Sequence, residues 1–482
     1  MLAVAHVLGL MMAFFGLLYL LPITWSLGVG DGTALKFLAA GGINSAFGLA
    51  LAAATRRFRR ELKPRDGFLL VTLSWVLMSV SAMLPLIFVL PDLSVTDAYF
   101  EAVSGLTTTG ATVLNGLEGL PQSLNIWRHT MHWIGGIGII VLALAVLPLL
   151  GVGGMQLYKA SMPGPVKDEK LTPRITETAK ALWFTYLAVT VLGVIALNVA
   201  GMSWFDAICH GFSAISLGGF STRDASVGSF DSPGIEFVLI VIMLVAACNF
   251  SRHFLAFRSM SLRPYASDSE AKAVMITLGA SIVLVTIPLW AIGVYPELGT
   301  ALRHGAFSVI SIGTTAGFVT ENYELWPAFM PVWLIFLSCI TCSTGSTGGG
   351  IKMFRTLLLV RHARRELKLL VHPSAVMPIR IAGHAIPDRI AYSVLAFIFL
   401  YFITIVVLTF AMLATDLDLV SSFSAIVASV NNMGPALNKI GPAGNFSVLS
   451  DVQTWICSVA MLVGRLEVFA VVVLFTAHFW RK

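Results

Sequence analysis

The residues in this sequence best suited to chemistry form four heptapeptides, each led by a small residue and ended by glycine. They are SGLTTTG (104–110), SAISLGG (213–219), SIGTTAG (311–317) and ASVNNMG (428–434). None holds a nucleophile beside a base, or a carboxylate at its apex. What they offer is oxygen: backbone carbonyls, with threonine, serine and asparagine side chains alongside. Carbonyl rings can replace the hydration shell of a dehydrated cation. Uncharged oxygens suit a monovalent ion, because divalent sites usually recruit carboxylates. Glycine permits the left-handed or extended backbone that aims carbonyls inward. The candidate ion ligands are therefore Thr108, Thr109 and Gly110, Gly218 and Gly219, Thr315, Ala316 and Gly317, and Asn432, Met433 and Gly434. A glycine C-cap in an ordinary tight turn would explain one such stretch. Four at glycine-to-glycine steps of 109, 98 and 117 residues read instead as an internal repeat.

The chain must place these loops in a membrane. Of its 482 residues 57% are hydrophobic and only 12% charged, with a mean hydropathy of +0.85, whereas a soluble protein is about 25% charged. Apolar runs occur at 2–27, 35–54, 67–90, 124–150, 179–200, 234–257, 272–294, 328–360, 385–413 and 452–480, each read as a helical span. The first lacks a basic n-region and reads as a retained span rather than a signal peptide. Most Lys and Arg residues cluster at 56–65, 159–180, 252–272, 355–389 and 481–482, which makes those loops and both termini cytoplasmic. The four glycine-ended segments, around 95–110, 203–219, 299–317 and 418–434, then lie outside and are too short to cross. Each repeat reads helix, short re-entrant helix, glycine-ended loop, helix. The short helices would turn their negative C-terminal ends toward a shared cavity. The expected fold is an all-α integral membrane protein with four such units around a pseudo-fourfold axis. The divisions are a helix pair at 1–66 and pore repeats at 67–178, 179–271, 272–384 and 385–482.

The stretch CSTGSTGGGIK (342–352) interrupts an apolar run with four glycines. It reads as a broken helix whose loop lies under the filter and gates it, the alternative being close helix packing through small residues. Thr344, Gly345, Gly348, Gly349, Gly350 and Lys352 are its candidate gate residues. It is not a P-loop, because Ile351 stands where the lysine must be. Arg465 and Glu467 interrupt the last span, and charges at such depth are functional candidates. Arg465 is read as a positive charge beneath the filter, with an ion pair to Glu467 as the structural alternative. Arg128 and His132 are read as interfacial or structural. Cys339 and Cys342 make a lone CxxC, read as buried thiols.

The loops TTTGAT, SLGGFS, TTAGF and NNMGPA resemble those of the Trk/Ktr/HKT potassium-transporter superfamily. The stretch LPLLGVGGMQLYKASMPGP with KLTPRITETAKALW resembles its Trk-type membrane subunit. The resemblance covers essentially the whole chain. It implies a K+-translocating pore of four M1–P–M2 repeats plus an N-terminal helix pair, in a bacterial inner membrane. It also implies a homodimer and a cytosolic, TrkA-like RCK-type nucleotide-binding partner. The loops share little beyond one glycine, so the expected filter is shorter than that of tetrameric potassium channels and looser toward sodium. No organic cofactor is expected. An ion-coupled symporter is the second reading. An enzyme is the poorest, since HExxH and GxSxG are both absent.

Overall fold

A computed structural model describes residues 1–58, 60, 62–146, 175–381 and 384–481. The basic linker at 147–174, which carries part of the family resemblance, lies outside them.

Helices α1 (Leu2–Phe15), α2 (Leu20–Val29) and α3 (Ala34–Ala54) form the N-terminal pair of spans. They meet through glycines. A Cβ on Gly9 would sit 2.7 Å from the Gly48 carbonyl oxygen, and one on Gly48 would sit 2.5 Å from the Ala13 nitrogen. Small residues allow such approach where lipid supplies no hydrophobic drive between helices. The pair docks on the first repeat through aromatics. Tyr19 stacks on Trp127 with centroids 4.5 Å apart, and its hydroxyl donates to the Ser81 carbonyl at 2.7 Å.

Four helix–pore helix–helix units follow. The first is α4 (Pro64–Val89), α5 (Val95–Leu106) and α6 (Gln122–Val146). The second is α7 (Ile175–Val199), α8 (Trp204–Ser216), α9 (Pro233–Ala247) and α10 (Phe250–Ser259). The third is α11 (Ser269–Ala291), α12 (Leu298–Gly313), α13 (Phe329–Ile340) and α14 (Met353–Val371). The fourth is α15 (Asp388–Leu413), α16 (Leu419–Asn431), α17 (Asp451–Arg465) and α18 (Glu467–Val472). The pore helices α5, α8, α12 and α16 hold 12 to 16 residues. At 1.5 Å per residue they are too short to cross ~30 Å of hydrocarbon. Serine or aspartate caps three of them: Ser94, Ser203 and Asp418 accept from the backbone nitrogens of Asp97, Asp206 and Ser421.

Among the described residues, six helices are long and apolar enough to cross a membrane, or up to eight counting two bent pairs. Among the described residues, three of the ten apolar runs differ in form from simple spans. The run 234–257 bends by 100° between α9 and α10, where Asn249 caps a new helix by accepting from the Ser251 nitrogen at 2.8 Å. The run 452–480 bends by 104° at Glu467, which takes φ 55°. The run 328–360 holds only the 12-residue α13 before a loop and the basic helix α14. Arg380–Ile381 pairs antiparallel with His384–Ala385, a two-residue ribbon that the sequence reading did not foresee.

Candidate functional site

All four pore helices end in the same way. The nitrogens of Thr109, Gly218, Ala316 and Met433 bond back to the carbonyls of Ser104, Ser213, Ser311 and Ala428 at 2.8–2.9 Å. This is the six-to-one closure of a left-handed C-terminal cap. The left-handed residue is not the glycine. It is Thr108, Leu217, Thr315 or Asn432, at φ 54°, 54°, 64° and 53°. Two residues on, Gly110, Gly219, Gly317 and Gly434 are again left-handed, at φ 81°, 81°, 78° and 89°. A β-branched threonine is costly there, and such strain persists only where the surroundings enforce it. The capped helix end and the glycine-ended loop are thus consecutive pieces of one motif.

The four motifs close a ring. A Cβ added to Gly110 would overlap the Gly218 carbonyl oxygen, one on Gly219 the Ala316 oxygen, and one on Gly317 the Met433 oxygen. One on Gly434 would lie 2.8 Å from the Thr109 oxygen. Each glycine therefore faces the residue before the next loop's glycine, and the fourth returns to the first. The Asn432 amide spans the same last seam, donating to Thr109 Oγ1 at 3.0 Å. Among the described residues, no hydrogen bond ends on the carbonyls of Thr108–Gly110, 217–219, 315–317 or 432–434. Thr108, Thr109, Thr315 and Asn432 are each at most 1% exposed, and Ala316 and Met433 are fully buried. Buried carbonyls are almost always paired, so a ring of unpaired ones is an arrangement for an ion or water.

Behind the ring stands a brace, with Arg128, read from sequence as interfacial or structural, in a buried pair whose partner Glu101 the sequence reading did not identify. Arg128 and Glu101 are both fully buried and meet at 2.8 Å. Glu101 also accepts from Thr112 Oγ1 and the Val113 nitrogen at 3.0 and 3.2 Å. Arg128 donates to the Ser221 carbonyl at 3.3 Å and lies 4.3 Å over the Phe220 ring. The pair holds the chain just after the first and second loops. His129 bonds the Phe220 carbonyl at 3.1 Å, and His132 bonds Ser213 Oγ at 2.9 Å. Two opposite charges were the available signal, but Arg128 stood near the outer end of its run and Glu101 in a segment read as too short to cross.

The candidate gate residues lie together against the ring. A Cβ on Gly349 would overlap the Asn431 carbonyl oxygen, and the Gly349 nitrogen donates to Thr315 Oγ1 at 3.0 Å. A Cβ on Gly348 would lie 3.0 Å from the Thr314 oxygen. Thr347 Oγ1 donates to the Ile215 carbonyl at 3.0 Å. The segment thus touches the ends of three pore helices. Gly345 and Gly350 are left-handed, at φ 78° and 73°, and the Thr344 nitrogen donates to Glu270 at 2.7 Å. Lys352 Nζ donates to the Gly348 carbonyl within the segment. Arg465, 3% exposed, donates to the carbonyls of Thr347 at 2.9 Å and Gly135 at 3.0 Å. It does not pair with Glu467, which begins α18 after the 104° bend and meets Arg355 of α14 at 2.6 Å. Cys339 and Cys342 are free thiols, and Cys342 Sγ donates to the Thr314 carbonyl at 3.2 Å.

Known proteins share this sequence and fold. The family model described as TrkH, cation transport protein, matches residues 34–482. The Trk system potassium uptake protein TrkH of Salmonella typhimurium is 46% identical over 484 residues, covering 100% of this chain and 99% of that one. The protein of that name from Halomonas elongata is 44% identical over 480 residues, 99% of each chain. The crystal structure of the potassium transporter TrkH from Vibrio parahaemolyticus superimposes with a TM-score of 0.92 at 42% identity, covering 100% of this chain and 99% of that one.

Proposed function

The chain belongs to the TrkH family of cation transport proteins, and from that premise we propose that it takes up K+ through a gated, channel-like pore. The family is one of transporters rather than enzymes. The observation that carries the proposal is the closed ring of left-handed glycines and unpartnered carbonyls. Four chemically different loops form this ring. TTTG contributes hydroxyls and NNMG an amide, so the quarters coordinate an ion unequally, and selectivity over sodium is looser than in a uniform filter. The dipoles of the four pore helices, each worth about half a charge at the C-terminus, favour a cation there.

Residues 344–350 are the gate, held shut by Arg465 and curled by Lys352. A cation leaving the filter meets the Arg465 charge and the loop together, and opening requires both to move. The units are 1–66, 67–178, 179–271, 272–384 and 385–482, in a bacterial inner membrane with both termini cytoplasmic. The protein acts as a homodimer under a cytosolic, TrkA-like RCK-type nucleotide-binding subunit. The names of its relatives support the potassium assignment, since each is a potassium uptake protein or potassium transporter.

Gly219→Asp and Gly434→Asp test the filter. Each places a carboxylate against a carbonyl of the ring, so potassium-selective uptake is lost while the protein still inserts. Normal rubidium uptake by both variants contradicts the assignment.

A further inference from the structure

We propose that Glu270 is a positioning residue for the gate: a latch by which the elbow between the second and third repeats holds the loop at 344–350. The inference rests on reading that loop as the gate.

The elbow begins where α9 stops at Ala247 and the chain turns by 100° into α10. Its corner is bonded directly to the loop. The Ser343 nitrogen donates to the Ala247 carbonyl at 3.0 Å, and the Phe250 nitrogen to the Gly345 carbonyl at 3.1 Å. Asn249 packs beneath Gly345, where a Cβ would lie 3.1 Å from its amide. Glu270 grips the other flank from the start of α11. It is 3% exposed, and its Oε2 accepts from the Thr344 nitrogen at 2.7 Å.

The two flanks are joined behind the loop. Asp268 caps α11 by accepting from the Glu270 nitrogen at 2.9 Å, and it pairs with Arg252 of α10 at 3.1 Å, both side chains nearly buried. The circuit runs from α10 through Arg252, Asp268 and Glu270 to Thr344, then through Gly345 back to α10. A displacement of α10 therefore moves both flanks of the loop together. The elbow is also exposed beyond this buried circuit, with Met260 and Leu262 at 89% and 77% exposure, so it presents a handle at the protein surface.

Glu270 suits a latch because little else holds it. Its Oε1 and the Ser343 hydroxyl have no protein partner, so the Thr344 bond is what ties the carboxylate to the loop. Removing that acceptor leaves the part-buried Thr344 N–H unsatisfied, a cost that favours the closed loop while the bond is intact. Release exchanges a single bond, which suits a segment that must open reversibly.

The test uses the full chain reconstituted in vesicles, with rubidium uptake measured without any partner. Glu270→Met keeps the length and removes the acceptor; it is expected to raise basal uptake on the order of tenfold. Glu270→Gln keeps a neutral acceptor and is expected to fall between wild type and Glu270→Met. Deleting residues 344–349 raises uptake by itself, and Glu270→Met then adds nothing further. If the deletion raises uptake but Glu270→Met and Glu270→Gln do not, the latch is wrong and the gate stands. If the deletion leaves uptake unchanged, both are wrong. Should Glu270→Met fail to insert, Glu270→Gln decides. A purely structural role for Glu270 predicts that Glu270→Met lowers uptake equally with and without the loop.

Discussion

At the scale of residues, the ring is a problem in backbone conformation before it is one of ion chemistry. The terminal glycine of each heptapeptide was legible because only glycine takes a left-handed backbone without cost. The second left-handed position was not, because Thr108, Leu217, Thr315 and Asn432 include three residue types and no glycine. Their geometry is imposed by the six-to-one cap and by neighbouring loops, and no single residue type signals that. The Arg128–Glu101 brace was hidden differently. Each charge looks interfacial alone, and their pairing appears only when α5 and α6 are brought side by side. Breaking one side of a buried ion pair leaves an uncompensated charge and costs about 3–5 kcal/mol. Glu101→Gln is therefore expected to lower the thermal stability of the detergent-solubilised protein. It is also expected to let sodium compete better against rubidium, because Thr112 and Ser221 lose their common anchor. An unchanged melting temperature and unchanged competition would show that the brace does not position the filter.

At the scale of elements, periodicity and run length located the simple spans and failed where a polar residue restarts a helix. Asn249 and Glu467 each sit inside an apolar run, and neither local composition nor length shows that the chain turns there by 100° and 104°. The loop at 342–352 was visible because four glycines do not sit in a helix without large cost. Its contacts, to Ile215, Thr315, Asn431 and Arg465, come from four distant parts of the chain and could not be read from spacing. The N-terminal pair shows the opposite case, since the Gly9 and Gly48 contact is a local consequence of small residues. Gly48→Leu would force α1 and α3 apart, a strain of about 1–3 kcal/mol for overpacking. It is expected to lower thermal stability while leaving potassium-over-sodium preference intact, because the pair does not line the ring. A change in ion preference would place the pair in the conduction pathway.

At the scale of the whole molecule, four unlike sequences reach one backbone geometry. The carbonyl before the glycine is supplied by Thr109, Gly218, Ala316 and Met433, and the helix cap recurs at all four. Pseudo-symmetry is thus kept in the main chain and abandoned in the side chains, which leaves one inner segment free to serve as the proposed gate and another to carry Arg465. The fourfold plan was readable from the glycine spacing; the closure of the ring, glycine against the next loop's carbonyl, was not. The central claim is that this ring passes K+ passively and selectively once the loop is out of the way. Current recordings across a planar bilayer, using the variant lacking residues 344–349 under separate potassium, sodium and pH gradients, test it most directly. The account predicts a reversal potential that follows the potassium gradient, responds weakly to sodium and ignores pH. A reversal potential that moves with pH, or follows sodium as strongly as potassium, would contradict it.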